Sequence, residues 1–126
     1  AAVREIVGGF GADLVMDCSG HPTAGPEGIE FLRDGGTYAI SIPEAPYRCP
    51  PGPYERACQV ANYLKKNKPK SKVLILDANQ DVTSKGGLFK KVWAEQYAGM
   101  IEYRPKHNVT AVDAKTKTIG HRRIIH

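Results

Sequence analysis

Cys49 stands in the run Arg48-Cys49-Pro50-Pro51-Gly52-Pro53, residue types that place a thiol in a stiff corner. An apolar strand-like run, residues 37–42, precedes it. An amphipathic pattern follows, with Ala57, Val60, Ala61 and Leu64 at i, i+3, i+4 and i+7 on one helical face. Pro53 suits the first helical position, where a missing N–H would have had no intrahelical partner. Glu55 complements the positive end of that helix, and Lys65 and Lys66 the negative end. A sulfur at the head of a helix and next to Arg48 sits where positive charge promotes thiol reactivity. The same spacing also suits a small buried cysteine beside a rigid turn, and spacing alone leaves both readings open.

A strand–loop–helix corner of this kind is where α/β proteins hold nucleotides. A phosphate cradle there uses G-x-G-x-x-G, so that backbone N–H groups reach the pyrophosphate. Pro50, Pro51 and Pro53 instead remove three amide donors, and Gly52 alone permits close backbone approach. The corner is expected to present a thiol, not a pyrophosphate site. Asp77 ends the apolar run Val73-Leu74-Ile75-Leu76, the place of a ribose-binding acid. Without the glycine corner, a capping or turn role is expected for it.

Other chemistry-bearing residues carry less. Cys18 and His21 form C-x-x-H, but two ligands do not make a zinc site, so no metal is expected. Asp13 and Asp17 share a strand face without an acid–base partner, and no Ser/His/Asp signature is present. Asn108-Val109-Thr110 is a glycosylation sequon by letter only.

Which elements must position Cys49? A chain of 126 residues suffices for one packed core, and 41% hydrophobic with 25% charged residues is ordinary for a globular domain. No apolar run approaches the ~20 residues that span a bilayer, so no membrane association is expected. No secretory leader and no initiator methionine can be read, which suggests a processed or excised piece. Three cysteines, an odd number, do not make a disulfide scaffold. The net charge of +5 gathers at Lys65, Lys66, Lys68, Lys70 and Lys72 without interleaved aromatics. That is a solvated basic turn, and no nucleic-acid partner is expected.

Residues 1–7 read as a helix end closed by Gly8 and Gly9, and residues 13–19 as a buried strand ended by Gly20. Residues 26–33 read as a helix with Ile29 and Leu32 inward, followed by a turn at Asp34-Gly35-Gly36. Strands are expected near 36–42, 72–77 and 100–104. A second helix is expected over 88–97, with Leu88 or Phe89, then Val92, Trp93 and Tyr97 inward and Trp93 in the core. Residues 109–113 and 116–119 form a hairpin around Lys115. The tail, residues 120–126, either frays or pairs through Ile124 and Ile125 with an edge strand. The fold class is α/β: one Rossmann-like domain over 1–126, a mostly parallel sheet with flanking helices and a C-terminal β-hairpin. The sheet is expected to be three-layered or partly exposed with its strand order open, since right-handed crossovers in one direction would put every helix on one sheet face. The bare opposite face would favour a homodimer.

The run APYRCPPGPYERACQVANYLKKNKPKSKVLILDANQDVTSKGGLFKKVWAEQYAGMIEYRPKHNVTAVDA resembles the flavoprotein subunit of flavocytochrome c sulfide dehydrogenase, with RCPPGPYERA specific to that family. The resemblance extends from about Gly35 to Ile119, roughly two-thirds of the chain, and the tail matches neither this family nor the one below. It implies a disulfide-reductase-like fold whose second nucleotide-binding-type domain this stretch matches. It further implies FAD, a redox-active disulfide beside it with Cys49 as one cysteine, a cytochrome c subunit as partner and a periplasmic location. In the family the second cysteine lies beyond this chain's end and the FAD-binding domain lies before this stretch.

The opening run GGFGADLVMDCSGHPTAGPEGIEFLRDGGTYAI is similar to the cofactor domain of zinc-type medium-chain alcohol dehydrogenases. That resemblance, over residues 1–40, implies that Ser19, Gly20 and His21 lie at a strand end facing NAD(P). The family's glycine turn, ribose acid and zinc ligands are absent from the run, so NAD binding is not expected. Ser19, Gly20 and Gly52 are the weak cofactor-binding candidates. The two resemblances meet at Asp34-Gly35-Gly36-Thr37-Tyr38, which suits a chimera of two Rossmann-like fragments (residues 1–36 and 37–119). A common ancestral half-domain is the alternative. The functional expectation is a fragment of a flavin-dependent sulfide dehydrogenase, inactive alone. A non-catalytic scaffold or binding module, or a remnant NAD(P)-binding domain, are the alternatives.

Overall fold

The computed structural model describes residues 12–17, 29–30, 32–113, 115–116 and 118–123. The expectations placed on residues 1–7, Cys18, Ser19, Gly20, His21, Ile124 and Ile125 lie outside the described residues.

In chain order the elements are β1 (Ala12–Asp17), β2 (Leu32–Ile42), α1 (Gly52–Asn67), β3 (Lys72–Asp77), α2 (Gly86–Gln96), β4 (Ile101–Arg104), β5 (His107–Asp113) and β6 (Thr118–Arg123). The first four strands form one parallel sheet in the order β1-β2-β3-β4. β5 and β6 form a separate antiparallel hairpin. This is the α/β, Rossmann-like architecture.

The sheet buries its central strands because their sequence is apolar on both faces. On one face Tyr38, Ile40 and Ile42 of β2 and Val73 and Ile75 of β3 pack beneath the helices. α1 presents Ala57, Val60, Ala61 and Leu64 to them, all buried. Burying Val60 and Leu64 stabilises the helix on the sheet by about 2 kcal/mol each. From α2, Phe89, Trp93 and Tyr97 are buried, whereas Leu88 is 58% exposed. The choice between Leu88 and Phe89 thus falls on Phe89, and Trp93 belongs to the core.

Both helices lie on the same face, as same-direction crossovers require. Tyr54 of α1 meets Phe89 and Trp93 of α2 at ring-centroid distances of 5.6 and 6.2 Å. The opposite face is not bare. β5 lies against β2 and β3 there, and Ala39 and Leu76, which alternate away from the helices, are fully buried.

The helix expected over 26–33 is shorter at its end. Residues 29 and 30 are helical, but Leu32 and Arg33 already belong to β2, and Leu32 pairs with Ala12. Leu32 is buried as expected, but from a strand. Lys68, at the end of α1, donates from Nζ to the carbonyls of Ile29 and Leu32, and so ties this junction to the helix. The expected Asp34-Gly35-Gly36 turn is an irregularity within β2: pairing with β1 shifts from Ala12↔Leu32 to Leu14↔Thr37. Gly35 adopts φ +88°, a conformation that glycine takes without steric cost. Its N–H donates to Ser71 Oγ at 3.0 Å, and Asp34 Oδ1 accepts from the Lys70 N–H at 2.9 Å. The kink is therefore held from the loop before β3.

At the hairpin, Lys115 and Thr116 form the turn, and Asp113 Oδ1 accepts both of their N–H groups. Those hydrogen bonds hold the Asp113 carboxyl below its ordinary value. The strands run longer than expected, since β6 takes in residues 120–123 of the supposed tail.

Candidate functional site

The corner between β2 and α1 closes as a tight turn in which the Gly52 N–H donates to the Cys49 carbonyl at 2.9 Å. Cys49 itself is in the left-handed region, φ +56°, unusual for a residue with a side chain. Its thiol is exposed and lies against the start of α1, where a Cβ on Gly52 would come within 3.2 Å of Sγ. Gly52 thus serves close packing with the sulfur. Pro51 occupies the N-cap position without a side-chain cap, and Pro53 lies in the opening turn.

Three hydrogen-bonded anchors fasten the loop to the C-terminal end of β3. Asn79 Nδ2 donates to the Pro43 carbonyl at 2.9 Å, and Asn79 Oδ1 accepts the Ala45 N–H at 2.8 Å. Tyr47 Oη donates to the Pro50 carbonyl at 3.1 Å and lies 2.6 Å from Thr83 Oγ1. The Ala45–Pro46 bond is cis.

Beneath the loop is Asp77, fully buried. Its Oδ2 accepts Tyr54 Oη at 2.6 Å and Tyr103 Oη at 2.8 Å. Its Oδ1 accepts the Asn79 N–H at 2.9 Å and Asn79 Nδ2 at 2.7 Å. Both carboxylate oxygens are doubly occupied, as burial of a charged group requires. Burial, reinforced by the Asp77 hydrogen bonds, pushes both tyrosine hydroxyls far up, so they remain donors at any ordinary pH. The turn role expected for Asp77 is present in its bond to the Asn79 N–H. The tyrosine pair beneath it was missed, because nothing in their spacing announces that Tyr54 and Tyr103, on different elements, converge on one carboxylate. Tyr47, Asn79 and Thr83 were missed for the same reason.

A nucleotide does not fit this corner. The loop lacks the N–H groups of a pyrophosphate cradle, and Asp77 has no lone pair left for a ribose hydroxyl. Ser19 and Gly20, the other cofactor-binding candidates, lie outside the described residues. Among the described residues no group of three metal-ligating side chains occurs, and no helix is long and apolar enough to cross a membrane.

Residues 26–124 match the model of a protein family described as sulfide dehydrogenase [flavocytochrome c] flavoprotein chain, central. The chain belongs to this family. The match to the sulfide dehydrogenase flavoprotein reaches further than residues 35–119 and takes in 120–124, which corrects the reading of the tail as foreign to it. A second likeness accompanies it. The chain is 49% identical over 37 residues to a sorbitol dehydrogenase of Halalkalibacterium halodurans, covering 29% of this chain and 11% of that protein. It is 44% identical over 45 residues to an L-threonine 3-dehydrogenase of Bacillus subtilis, covering 35% of this chain and 13% of that protein. These relatives belong to the zinc-type alcohol dehydrogenase family, and the chain spans only these small shares of their length.

The two described cysteines differ in setting. Cys58 is half-buried, and Trp93 Nε1 donates to its Sγ at 3.3 Å. Burial pushes the Cys58 thiol up, the Trp93 bond opposes this, and the Glu55 charge adds to it. A thiol raised in the folded state contributes its full stability below the ordinary thiol value and loses it as pH rises through the folded value. Iodoacetamide at neutral pH should therefore label Cys49 first, with Cys58 reacting only when the helices part. Timed alkylation with peptide mapping decides this: first labelling of Cys58 in the folded chain would refute it.

Proposed function

We propose that the chain is a segment of a sulfide dehydrogenase flavoprotein that presents Cys49 as one half of a redox disulfide and has no catalytic activity by itself. The observation that carries the reading is the family match over residues 26–124, a range that includes Cys49, exposed on the rigid β2–α1 corner. FAD and a cytochrome c subunit enter with the family. The flavin would be held elsewhere in the whole flavoprotein, since the β2–α1 corner offers it no cradle. FAD when bound would supply the electron acceptor for sulfide oxidation; the residues of this chain hold and present a thiol. The similarity to sorbitol and threonine dehydrogenases supports a chimeric origin, with the opening stretch contributing β1 beside β2. A non-catalytic scaffold is the competing reading, favoured by the filled Asp77 site.

Titration of the purified chain with FAD and with NAD, followed by sulfide, tests the proposal. Neither nucleotide should bind below millimolar concentration, equivalent to about 4 kcal/mol of binding free energy, and sulfide should bleach no flavin band. Stoichiometric yellow flavin or micromolar NAD affinity would show that a cradle exists after all. In the whole flavoprotein, Cys49→Ser should abolish sulfide-dependent flavin reduction. Retained reduction would favour the scaffold.

A further inference from the structure

We infer that Trp93, Tyr103, Tyr54 and Asp77 form a sink for oxidising equivalents, in which a hole on the indole passes to a phenol as the phenolic proton passes to the carboxylate. The inference goes beyond the sulfide dehydrogenase reading and does not depend on it. Trp93 is the sole tryptophan, and its ring centre lies 5.3 Å from that of Tyr103 and 6.2 Å from that of Tyr54. Aromatic rings at such separations touch, with no solvent between them. Both phenols share one proton acceptor, since Asp77 Oδ2 accepts Tyr54 Oη at 2.6 Å and Tyr103 Oη at 2.8 Å. Burial keeps both phenols protonated, so neither gives up an electron as a ready-made phenolate. An electron that left either one alone would strand a cation in a low-dielectric core. The carboxylate alongside offers the proton a place to go at the same moment.

The electrons and protons balance. A one-electron oxidant in solution takes one electron from Trp93 and is itself reduced, leaving the indole radical cation. Tyr103 returns an electron to Trp93, and its Oη proton crosses the hydrogen bond to Asp77 Oδ2. The products are neutral Trp93, a neutral tyrosyl radical and a protonated Asp77. The new O–H on Asp77 points back at the tyrosyl oxygen along the same line, so no heavy atom has to move. Oδ2 goes on accepting from Tyr54 Oη, and Tyr54 reaches the corresponding state by the same step. The step cancels a fully buried charge, the favourable direction in an interior that disfavours charged forms. The indole has a poorer outlet of its own, because Nε1 donates to Cys58 Sγ at 3.3 Å, and a thiol sulfur is a weak acceptor. The hole therefore passes from Trp93 to the tyrosine–carboxylate group.

Pulse radiolysis of the chain in azide solution tests the inference, because the azidyl radical is a one-electron oxidant that prefers tryptophan to tyrosine. The indole radical absorption should decay as the tyrosyl absorption grows, at a rate independent of protein concentration. The conversion should slow in heavy water, since a proton moves with the electron. Joint Tyr54→Phe and Tyr103→Phe removes both acceptors and should lengthen the indole radical lifetime roughly tenfold. Asp77→Asn keeps both phenols but removes the carboxylate, and should lengthen it comparably, which loss of ring packing would not explain. Should the double variant fail to fold, the single ones decide with the heavy-water comparison: Tyr103→Phe, the nearer ring, should slow the conversion more than Tyr54→Phe. Tyr63→Phe, at an exposed position of α1, should leave the conversion unchanged. Conversion at the parent rate without the phenols or the carboxylate would overturn the inference. So would equal rates in light and heavy water, or the absence of any indole radical after the pulse. No flavin enters these measurements, so failure of the sulfide dehydrogenase reading would appear in the Cys49→Ser flavoprotein instead.

Discussion

Asp77→Ala should remove about 4 kcal/mol of stability, because it strands donors that the fold has buried around one carboxylate. Tyr54 Oη, Tyr103 Oη and the two Asn79 N–H donors all end on Asp77. An alanine there leaves a polar hole at the end of β3, and each unpaired donor costs about 1–3 kcal/mol before relaxation or entering water recovers part of it. Against a typical domain stability of about 5–15 kcal/mol, that brings the chain close to unfolding. The milder variants separate the pieces. Asp77→Asn keeps one acceptor oxygen but faces donors with its amide on the other side, so it should lie between parent and alanine. Tyr54→Phe and Tyr103→Phe leave Asp77 one donor short and should each cost about 1–2 kcal/mol. Urea unfolding with a common slope measures all four. An Asp77→Ala loss below about 1 kcal/mol would show that the carboxylate does not organise this end of the sheet.

Trp93→Ala should cost a similar amount, about 4 kcal/mol, through a different mechanism. Trp93 stacks on Phe89 at 6.2 Å, meets Tyr103 at 5.3 Å and Tyr54 at 6.2 Å. It is the element that packs α2 onto both α1 and β4. Deleting it opens a cavity that the neighbouring Tyr54 and Tyr103 rings, both tethered to Asp77, cannot collapse to fill. The variant should also expose Cys58, which loses its Trp93 Nε1 donor and its cover together. Trp93→Phe retains much of the packing and loses the donor, so it should destabilise less while still altering Cys58. Because Trp93 is the sole tryptophan, unfolding of these variants is followed by far-ultraviolet circular dichroism. A stable Trp93→Ala chain with Cys58 still protected would mean that the helices are held mainly by the aliphatic face of α1.

The basic cluster is partly structural as well. Lys68 closes the junction before β2, and Lys65 Nζ donates to the Gln96 carbonyl at 3.1 Å while sitting 6.0 Å from the Tyr97 ring centre. These residues tie helix ends to neighbouring segments, which composition alone could not distinguish from a solvated charged turn.

What the sequence alone determined is the set of features with a local cause. The inward face of α1 follows from a 3.6-residue period, and β3 from an unbroken apolar run. The absence of a nucleotide cradle follows from prolines, which remove donors whatever the tertiary setting. The parallel pairing follows from the alternation of strands and helices, whereas the strand order β1-β2-β3-β4, which puts the helices on one face, came from the assembled sheet. Tertiary structure decided what depends on register and on layers meeting. Leu32 became a strand residue because pairing with β1 outweighed a short helical pattern. The second sheet face was covered by β5, which no periodicity within β2 or β3 could announce. Above all, the union of Tyr54, Tyr103 and Asn79 on Asp77, and of Tyr47 with Thr83 above it, joins three elements and two loops. A hydrogen bond needs its partners within about 3 Å, and only the assembled sheet brings side chains so distant in sequence to that separation.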